Sequence, residues 1–156
     1  MARFEGLDAD QRARLRFGSF VGEVDADGLA RLRLNEHAVH TWDVAVVLDP
    51  NASIGAEAVD FVLDSLSMLA RFTGKAHGLS TVVRVTTTDP HRIFTLTLDT
   101  PVTLEPGGDA PASAELTLPA EAFIRLIYGR LDPPLTPPLT VSGIELDDLR
   151  RVFPGL

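Results

Sequence analysis

The stretch at residues 80–99, STVVRVTTTDPHRIFTLTLD, decides the fold because apolar and polar side chains alternate on both sides of a turn signal. Its first half alternates Val83, Val85 and Thr87 with Val82, Arg84 and Thr86, and its second half alternates Phe94, Leu96 and Leu98 with threonine-rich positions. A period of two residues places alternate side chains on opposite faces of a strand. The DPHR segment between the two halves favours a turn. The stretch therefore predicts a β-hairpin with one face in a core.

Upstream of about residue 71, the apolar residues recur with a helical period instead. Asp8 is a candidate N-cap for a first helix that runs through residues 11–20. A second helix is predicted to begin after Asp25 or Asp27 and to end near Leu48, since a proline follows two residues later and the residue before a proline avoids helical geometry.

A third helix is predicted over IGAEAVDFVLDSLSMLARF, with Ser53 as its N-cap, Glu57 in its first turns and Gly74 at its end. Its apolar positions recur at helical spacing and predict a single buried face. These positions are Val59, Val62, Leu63, Leu66 and Leu69.

Downstream of the hairpin, strands and helices alternate at short intervals. PVTLEPGGDAPASAELTLP predicts a short strand, a loop and a second strand at Ala114–Leu118. A helix over PAEAFIRLIYGR, a strand at Leu139–Val141 and a closing helix over IELDDLRRVFPGL follow. Strands packed under helices indicate an α+β fold. We expect a helical region at residues 1–74 and a small α+β domain at residues 75–156.

Composition narrows the function classes. The 156-residue chain is 45% hydrophobic, which is enough for a packed core, and its formal net charge is −8. An acidic chain with scattered basic residues is poorly suited to nucleic acid, and no apolar run is long enough for a membrane span. The charged N-terminal stretch predicts no signal peptide. The chain has no cysteine, which excludes a thiolate metal site and fits a cytoplasmic location.

Glu36 and His40 form the constellation most suggestive of chemistry, because residues four apart on a helix are neighbours. They can offer a carboxylate oxygen and an imidazole nitrogen to the same point, so we expect them to face one shared pocket. Asp43, one turn further on, could accept the other imidazole N–H. A solvated polar face would have the same spacing. His37 points away from the pair, and Trp42 falls among the apolar positions expected in the core.

Two segments resemble the mycothiol-dependent maleylpyruvate isomerase family, part of the DinB-like superfamily. RLRLNEHAVHTWDVAVVLDP at residues 31–50 is similar to the family's metal-bearing helix, with Arg33, Glu36, His40, Trp42 and Asp43 in matching order. ELTLPAEAFIRLIYGRLDP and the terminal LRRVFPGL resemble its C-terminal domain, which is related to sterol carrier protein 2. The resemblance covers nearly the whole chain.

The resemblance implies a partial DinB-like helical bundle joined to a sterol-carrier-like α+β domain. It implies a divalent metal, usually zinc, with Glu36 and His40 as two of three protein ligands. The metal would activate the thiolate of mycothiol for addition to a small-molecule substrate. Arg130 is the best match for a catalytic arginine that holds an anionic substrate, although a charge near a helix C-terminus is equally expected there.

The family's third ligand is a histidine on the first bundle helix, and no histidine precedes His37 in this chain. The chain is then a shortened member, a piece of a longer protein, or a relative without the metal. Three functions remain open: a metal-dependent isomerase or transferase, a non-catalytic binder with an apolar pocket in its second half, and a metal-free enzyme using Glu36 and His40 for acid–base chemistry. An incomplete bundle leaves apolar helix faces exposed, so we expect a homodimer through the N-terminal helices.

Overall fold

Most helices precede the main sheet along the chain. The structure is a computed structural model, and it describes residues 6–19 and 22–155. The helices are α1 (Ala9–Arg14), α2 (Ala26–Leu48), α3 (Ala56–Thr73), α4 (Ala120–Ile127) and α5 (Leu146–Val152). The strands are β1 (Phe17–Ser19), β2 (Gly22–Val24), β3 (Thr81–Thr88), β4 (Arg92–Leu98), β5 (Thr103–Pro106), β6 (Ala114–Pro119) and β7 (Thr140–Ser142). The α+β class predicted from the sequence is confirmed.

The predicted hairpin forms the centre of a five-stranded mixed sheet with the order β5-β4-β3-β6-β7. β3 and β4 pair antiparallel with Val85 opposite Phe94, and β3 pairs parallel with β6, where Val83 lies opposite Ala114. The other strand pairs of the sheet are antiparallel. The DPHR segment is the hairpin turn, as the sequence predicted.

One face of this sheet forms the core, since alternate side chains of each strand are buried there. α3 and α4 pack together against this face and fill the interior. The apolar face predicted for α3 is confirmed, because all five of its positions are buried. Fully buried side chains that fill the interior include Leu66, Leu96, Leu116, Phe123, Ile127 and Phe153.

α2 begins where the sequence predicted, and Asp25 caps it by accepting a hydrogen bond from the Gly28 backbone N–H at 2.8 Å. Asp8 likewise caps α1 through a reciprocal capping box with Gln11. The predicted extent of the first helix is wrong, however, because α1 ends at Arg14 and the chain enters strand β1. β1 pairs with β2, and Gly22 takes a φ of 105°, a conformation that helices exclude. Phe20 lies outside the described residues.

The predicted cap of the third helix is also wrong. Ser53 does not cap α3, whose N-cap is Gly55 without a side-chain hydrogen bond. The reason is that Ile54, between them, is only 3% exposed and anchors the chain in the core before the helix begins. Gly74 does end α3, but its φ is −66°. A Cβ at Gly74 would lie 2.7 Å from the Val102 Cβ, so close packing requires the glycine there.

The described helices include none that is both long and apolar enough to cross a membrane.

Candidate functional site

Glu36, His40 and Asp43 lie together on one side of α2, as their spacing predicted. His40 Nε2 is 3.3 Å from Glu36 Oε2, and His40 Nδ1 is 2.9 Å from Asp43 Oδ2. The His40 side chain is 60% exposed, whereas the two carboxylates are each about one third exposed. The imidazole is therefore held between two carboxylates while one side of it still meets solvent. His37 is exposed and Trp42 is buried, as expected.

Arg130 reaches this cluster from the segment that follows α4. Its Nε donates to Asp43 Oδ1 at 2.7 Å and its Nη2 donates to Asp43 Oδ2 at 3.0 Å, a bidentate pair between residues 87 positions apart. Its Nη1 donates to the Tyr128 carbonyl oxygen at 2.8 Å. The sequence predicted Arg130 as a substrate-binding arginine, and the structure brings it to Glu36 and His40 through Asp43. The substrate-binding role stays a prediction.

Gly129 allows Tyr128 and Arg130 to stand on either side of one sharp turn. Its φ is 70°, in the left-handed region that favours glycine. A Cβ at this position would lie 2.2 Å from the backbone nitrogen of Gly155, so the C-terminal segment leaves no space for a side chain. Both the backbone conformation and the packing therefore require glycine at the turn that precedes Arg130.

The cluster carries more negative than positive charge. Burial raises the pKa of Asp43, but hydrogen bonds from Arg130 and His40 outweigh burial and hold that pKa below its ordinary value. Asp43 is therefore ionised and neutralises Arg130. Glu36 carries the remaining negative charge, so Glu36, Asp43 and Arg130 together have a net charge of −1 when His40 is neutral.

A cleft between α2 and α3 opens beside Glu36 and has room for roughly one water molecule. Asn35 lines it and is 3% exposed, and its Oδ1 atom is buried without a hydrogen-bond partner. Burial, together with the negative charge of Glu36, raises the pKa of Tyr128 to about 12, so its hydroxyl stays protonated. The cleft is lined by Leu32, Asn35, Glu36, Val62, Ser65, Leu66, Met68, Leu69 and Tyr128.

Sequence reasoning missed Asn35 and Tyr128. The signal for Asn35 was present, since Leu32, Asn35 and Val39 recur at the helical spacing of the buried face of α2. The apolar residue next to it, Leu34, is 42% exposed. No local pattern marks Tyr128, because its partners lie on α2 and α3.

Sequence reasoning also missed a buried ion pair on α4. Arg125 is 4% exposed and makes two hydrogen bonds of 2.8 Å to the Glu121 carboxylate. Its Nη1 donates to the Leu135 carbonyl oxygen at 2.7 Å, and its guanidinium carbon lies 5.0 Å from the ring centroid of Trp42. These contacts link α4 to α2 and to the proline-rich loop at residues 133–138. Arg125 therefore has a structural role.

The donors at the site do not fit a zinc ion within one chain. Catalytic zinc takes three protein ligands, and here Glu36 and His40 are the two candidates. Both Asp43 oxygens already accept hydrogen bonds, from His40 and Arg130. Across residues 6–19 and 22–155, no group of three histidine, aspartate or glutamate side chains is placed to hold a metal. The roles of Glu36 and His40 as metal ligands stay predictions.

Comparison with known protein families finds a match for most of the chain. Residues 56–153 match the family model described as the MDMPI C-terminal domain. The matched stretch begins at α3 and includes Tyr128 and Arg130, whereas Glu36, His40 and Asp43 precede it. No curated protein matches the chain. The division of the chain after residue 74 stays a prediction.

Proposed function

The chain belongs to the MDMPI C-terminal domain family, and from that premise we propose that it is an isomerase- or transferase-type enzyme acting on a small molecule, with His40 as a metal-free acid–base group. The observation that supports this proposal is the double contact of Asp43, which holds His40 Nδ1 on one side and Arg130 on the other. A histidine whose ring is oriented by an ionised carboxylate is a common device for proton transfer.

The contacts define the role of each residue in this proposal. Asp43 accepts the Nδ1–H of His40, which leaves Nε2 as the basic nitrogen. Glu36, 3.3 Å from Nε2, stabilises the imidazolium that forms when His40 takes a proton. Arg130 holds Asp43 in place through its bidentate pair. Two of its five N–H groups have no part in those hydrogen bonds and remain for a substrate oxygen.

An isomerisation assay tests this proposal. Purified protein is incubated with maleylpyruvate, with and without mycothiol, in the presence of a chelator. We expect turnover that persists in chelator and falls by about 100-fold or more in His40→Gln, because general acid–base groups contribute on that scale. His37→Gln removes an exposed histidine of the same helix and is the matched control, with activity unchanged. Turnover that requires added zinc, or that survives in His40→Gln, would refute the proposal.

We favour the α2 cluster over an interior pocket as the place where a small molecule binds. An interior pocket of the kind expected for a sterol-carrier-like binder would lie between the sheet and its helices. Leu96, Leu116 and Phe123 are fully buried in that space and fill it with their side chains.

A second candidate is the metal-dependent form with zinc and mycothiol, assembled as a homodimer through the N-terminal helices. It is favoured by apolar side chains exposed beside the site. Val44 and Val47, which follow His40 by four and seven residues on α2, are 67% and 80% exposed, and Phe61 on α3 is 48% exposed. Covering such side chains is a usual reason for association. A second copy docked there would bring its own donors near His40.

Analytical ultracentrifugation tests this assembly. We expect a dimer at micromolar concentration that dissociates in the double variant Val44→Asp/Val47→Asp, because charges placed in an apolar interface cannot be solvated. Thr41→Asp, an exposed position of the same helix outside that apolar pair, is the control. A monomer for the unmodified protein at these concentrations would contradict the dimer.

A further inference from the structure

The α2–α3 cleft contains a hydrogen-bond acceptor that the proposed reaction does not use. Asn35 is 3% exposed, and its Oδ1 atom is buried without a partner. Buried polar groups in native proteins almost always have a partner, so each exception calls for a water or ligand that supplies one. The missing partner of Asn35 must be a hydrogen-bond donor that enters the cleft.

The charge at this cleft favours a cation. Glu36 lines the cleft together with Asn35, Ser65 and Tyr128. Ser65 already donates its hydroxyl proton to the Phe61 carbonyl oxygen. Arg130, which lies over the Tyr128 ring, is paired bidentately with Asp43. Glu36 also lies 3.3 Å from His40 Nε2, so its negative charge is unpaired while His40 is neutral, and with the Asn35 amide oxygen it then forms a site for a positively charged donor.

The size and the walls of the cleft restrict the donor further. Its interior has room for roughly one water molecule, which is also the size of an ammonium group. Leu32, Leu66 and Met68 line its sides, and Met68 is 40% exposed. The ammonium group fills this interior, so a short alkyl chain attached to it extends to the mouth of the cleft, where it covers the exposed side of Met68. Tyr128 also lines the cleft, and its ring is already covered by Arg130, whose guanidinium carbon lies 5.9 Å from the ring centroid.

We propose that this cleft binds the ammonium group of a small primary alkylamine. The ammonium donates to Asn35 Oδ1 and is neutralised by Glu36, while its alkyl chain extends out of the cleft over Met68. The site shares Glu36 with the cluster on α2 but does not depend on the proton-transfer proposal. Glu36 would then serve an organic cation in a chain whose donors do not fit a metal.

The test is an NMR titration of the full chain, which follows the side-chain amide of Asn35. The probes are n-butylammonium chloride, n-butanol and tetramethylammonium chloride. We expect a saturable shift with n-butylammonium and at least 10-fold weaker binding of the other two, since butanol lacks the charge and tetramethylammonium lacks an N–H donor. Sodium chloride at equal ionic strength corrects for salt.

Variants separate the site from non-specific attraction to an acidic protein. Glu36→Gln and Asn35→Leu are each expected to weaken n-butylammonium binding at least 10-fold, with binding of Asn35→Leu followed by calorimetry. Glu57→Gln removes an exposed charge from α3 and is the matched control, with binding unchanged. Fluorescence of Trp42 verifies that each variant is folded.

Three results would overturn the proposal. They are the absence of a saturable shift, which leaves an ordered water in the cleft, equal binding of n-butanol, and binding that survives in both variants. The titration measures equilibrium binding and needs no turnover. Its failure therefore leaves the role of His40 in proton transfer untouched, and loss of that role leaves the amine site untouched.

Discussion

Two helices of this protein carry a glutamate and a basic residue at the same i, i+4 spacing, and the two pairs have different surroundings. Glu121 and Arg125 on α4 are largely buried, with Arg125 only 4% exposed. Glu36 and His40 on α2 lie at the surface, with His40 60% exposed. Identical spacing therefore does not distinguish a structural link from a site. The difference lies in what the tertiary structure places over each pair.

The buried pair has every strong contact satisfied within the protein. Arg125 meets Glu121, the Leu135 carbonyl oxygen and the ring of Trp42. The surface pair is fixed on one side, by Asp43 and Arg130, while Glu36 also borders the cleft that contains Asn35. The pair on α4 is enclosed by protein, whereas the pair on α2 keeps one side open to solvent.

The largest loss of stability is expected when the buried pair of Glu121 and Arg125 is broken. Arg125→Met leaves the Glu121 carboxylate without its partner, and we expect it to lower the free energy of unfolding by about 3 kcal/mol or more. Denaturant unfolding followed by Trp42 fluorescence measures this. The control is Arg92→Met, which removes exposed ion pairs to Asp60 and Asp64 and should cost less than about 1 kcal/mol. Equal losses in the two variants would show that burial does not distinguish the pairs.

A smaller effect on stability is expected at Arg130, which holds Asp43 beside the surface pair. In Arg130→Met the pKa of Asp43 should rise, because burial then outweighs the hydrogen bond from His40. A lowered carboxyl pKa stabilises the fold above the unfolded value of 3.8, and that stabilisation is lost as pH falls through the folded value. The Arg130→Met variant should therefore lose part of this dependence of stability on pH. Carboxyl carbon NMR measures the pKa, and Arg33→Met, at an exposed position of α2, is the control. An unchanged Asp43 pKa would contradict the anchoring role.

The cleft beside the surface pair can be tested through the only tyrosine of the chain. We expect Tyr128 to titrate near 12, and Glu36→Gln to lower that pKa by removing a nearby negative charge. Since the unfolded value is 10, the folded state retains its proton longer, and stability should fall as pH rises above 10. Tyrosinate absorbance gives the pKa while Trp42 fluorescence reports folding. Titration near 10 in the folded protein would show that Tyr128 is solvated.

The smallest expected effect on stability is that of His40 itself. His40→Ala should change the free energy of unfolding by less than about 0.5 kcal/mol, because the side chain is mostly exposed. We also expect protein purified without chelator to lose any zinc on dialysis, since two protein ligands hold zinc weakly. Elemental analysis checks this. Stoichiometric zinc that survives dialysis and disappears in His40→Ala would reveal a third ligand from a second copy and favour the metal-dependent candidate.

Local patterns predicted the hairpin of β3 and β4 and the buried face of α3 correctly. Val83 and Leu96 follow a period of two, and Leu66 belongs to an apolar helical face. The residues next to each of these positions are therefore enough to predict that it is buried. The contact between Glu36 and His40 was predictable for the same reason. Errors arose where longer-range packing decided, as at Ser53, where burial of Ile54 sets the start of α3.

Patterns along the chain predict the α+β class, the order of the main elements and the contact between Glu36 and His40, and the family resemblance adds Arg130 as a candidate. Only the packed molecule shows that Arg130 meets Asp43 across 87 residues, that Arg125 packs on Trp42 and that the Asn35 Oδ1 atom is buried without a hydrogen-bond partner in the protein. The physical reason is that periodicity records which side of an element is apolar. Contacts between residues of different elements depend on how the helices pack and on the turn at Gly129. Neither produces a periodic pattern in the sequence.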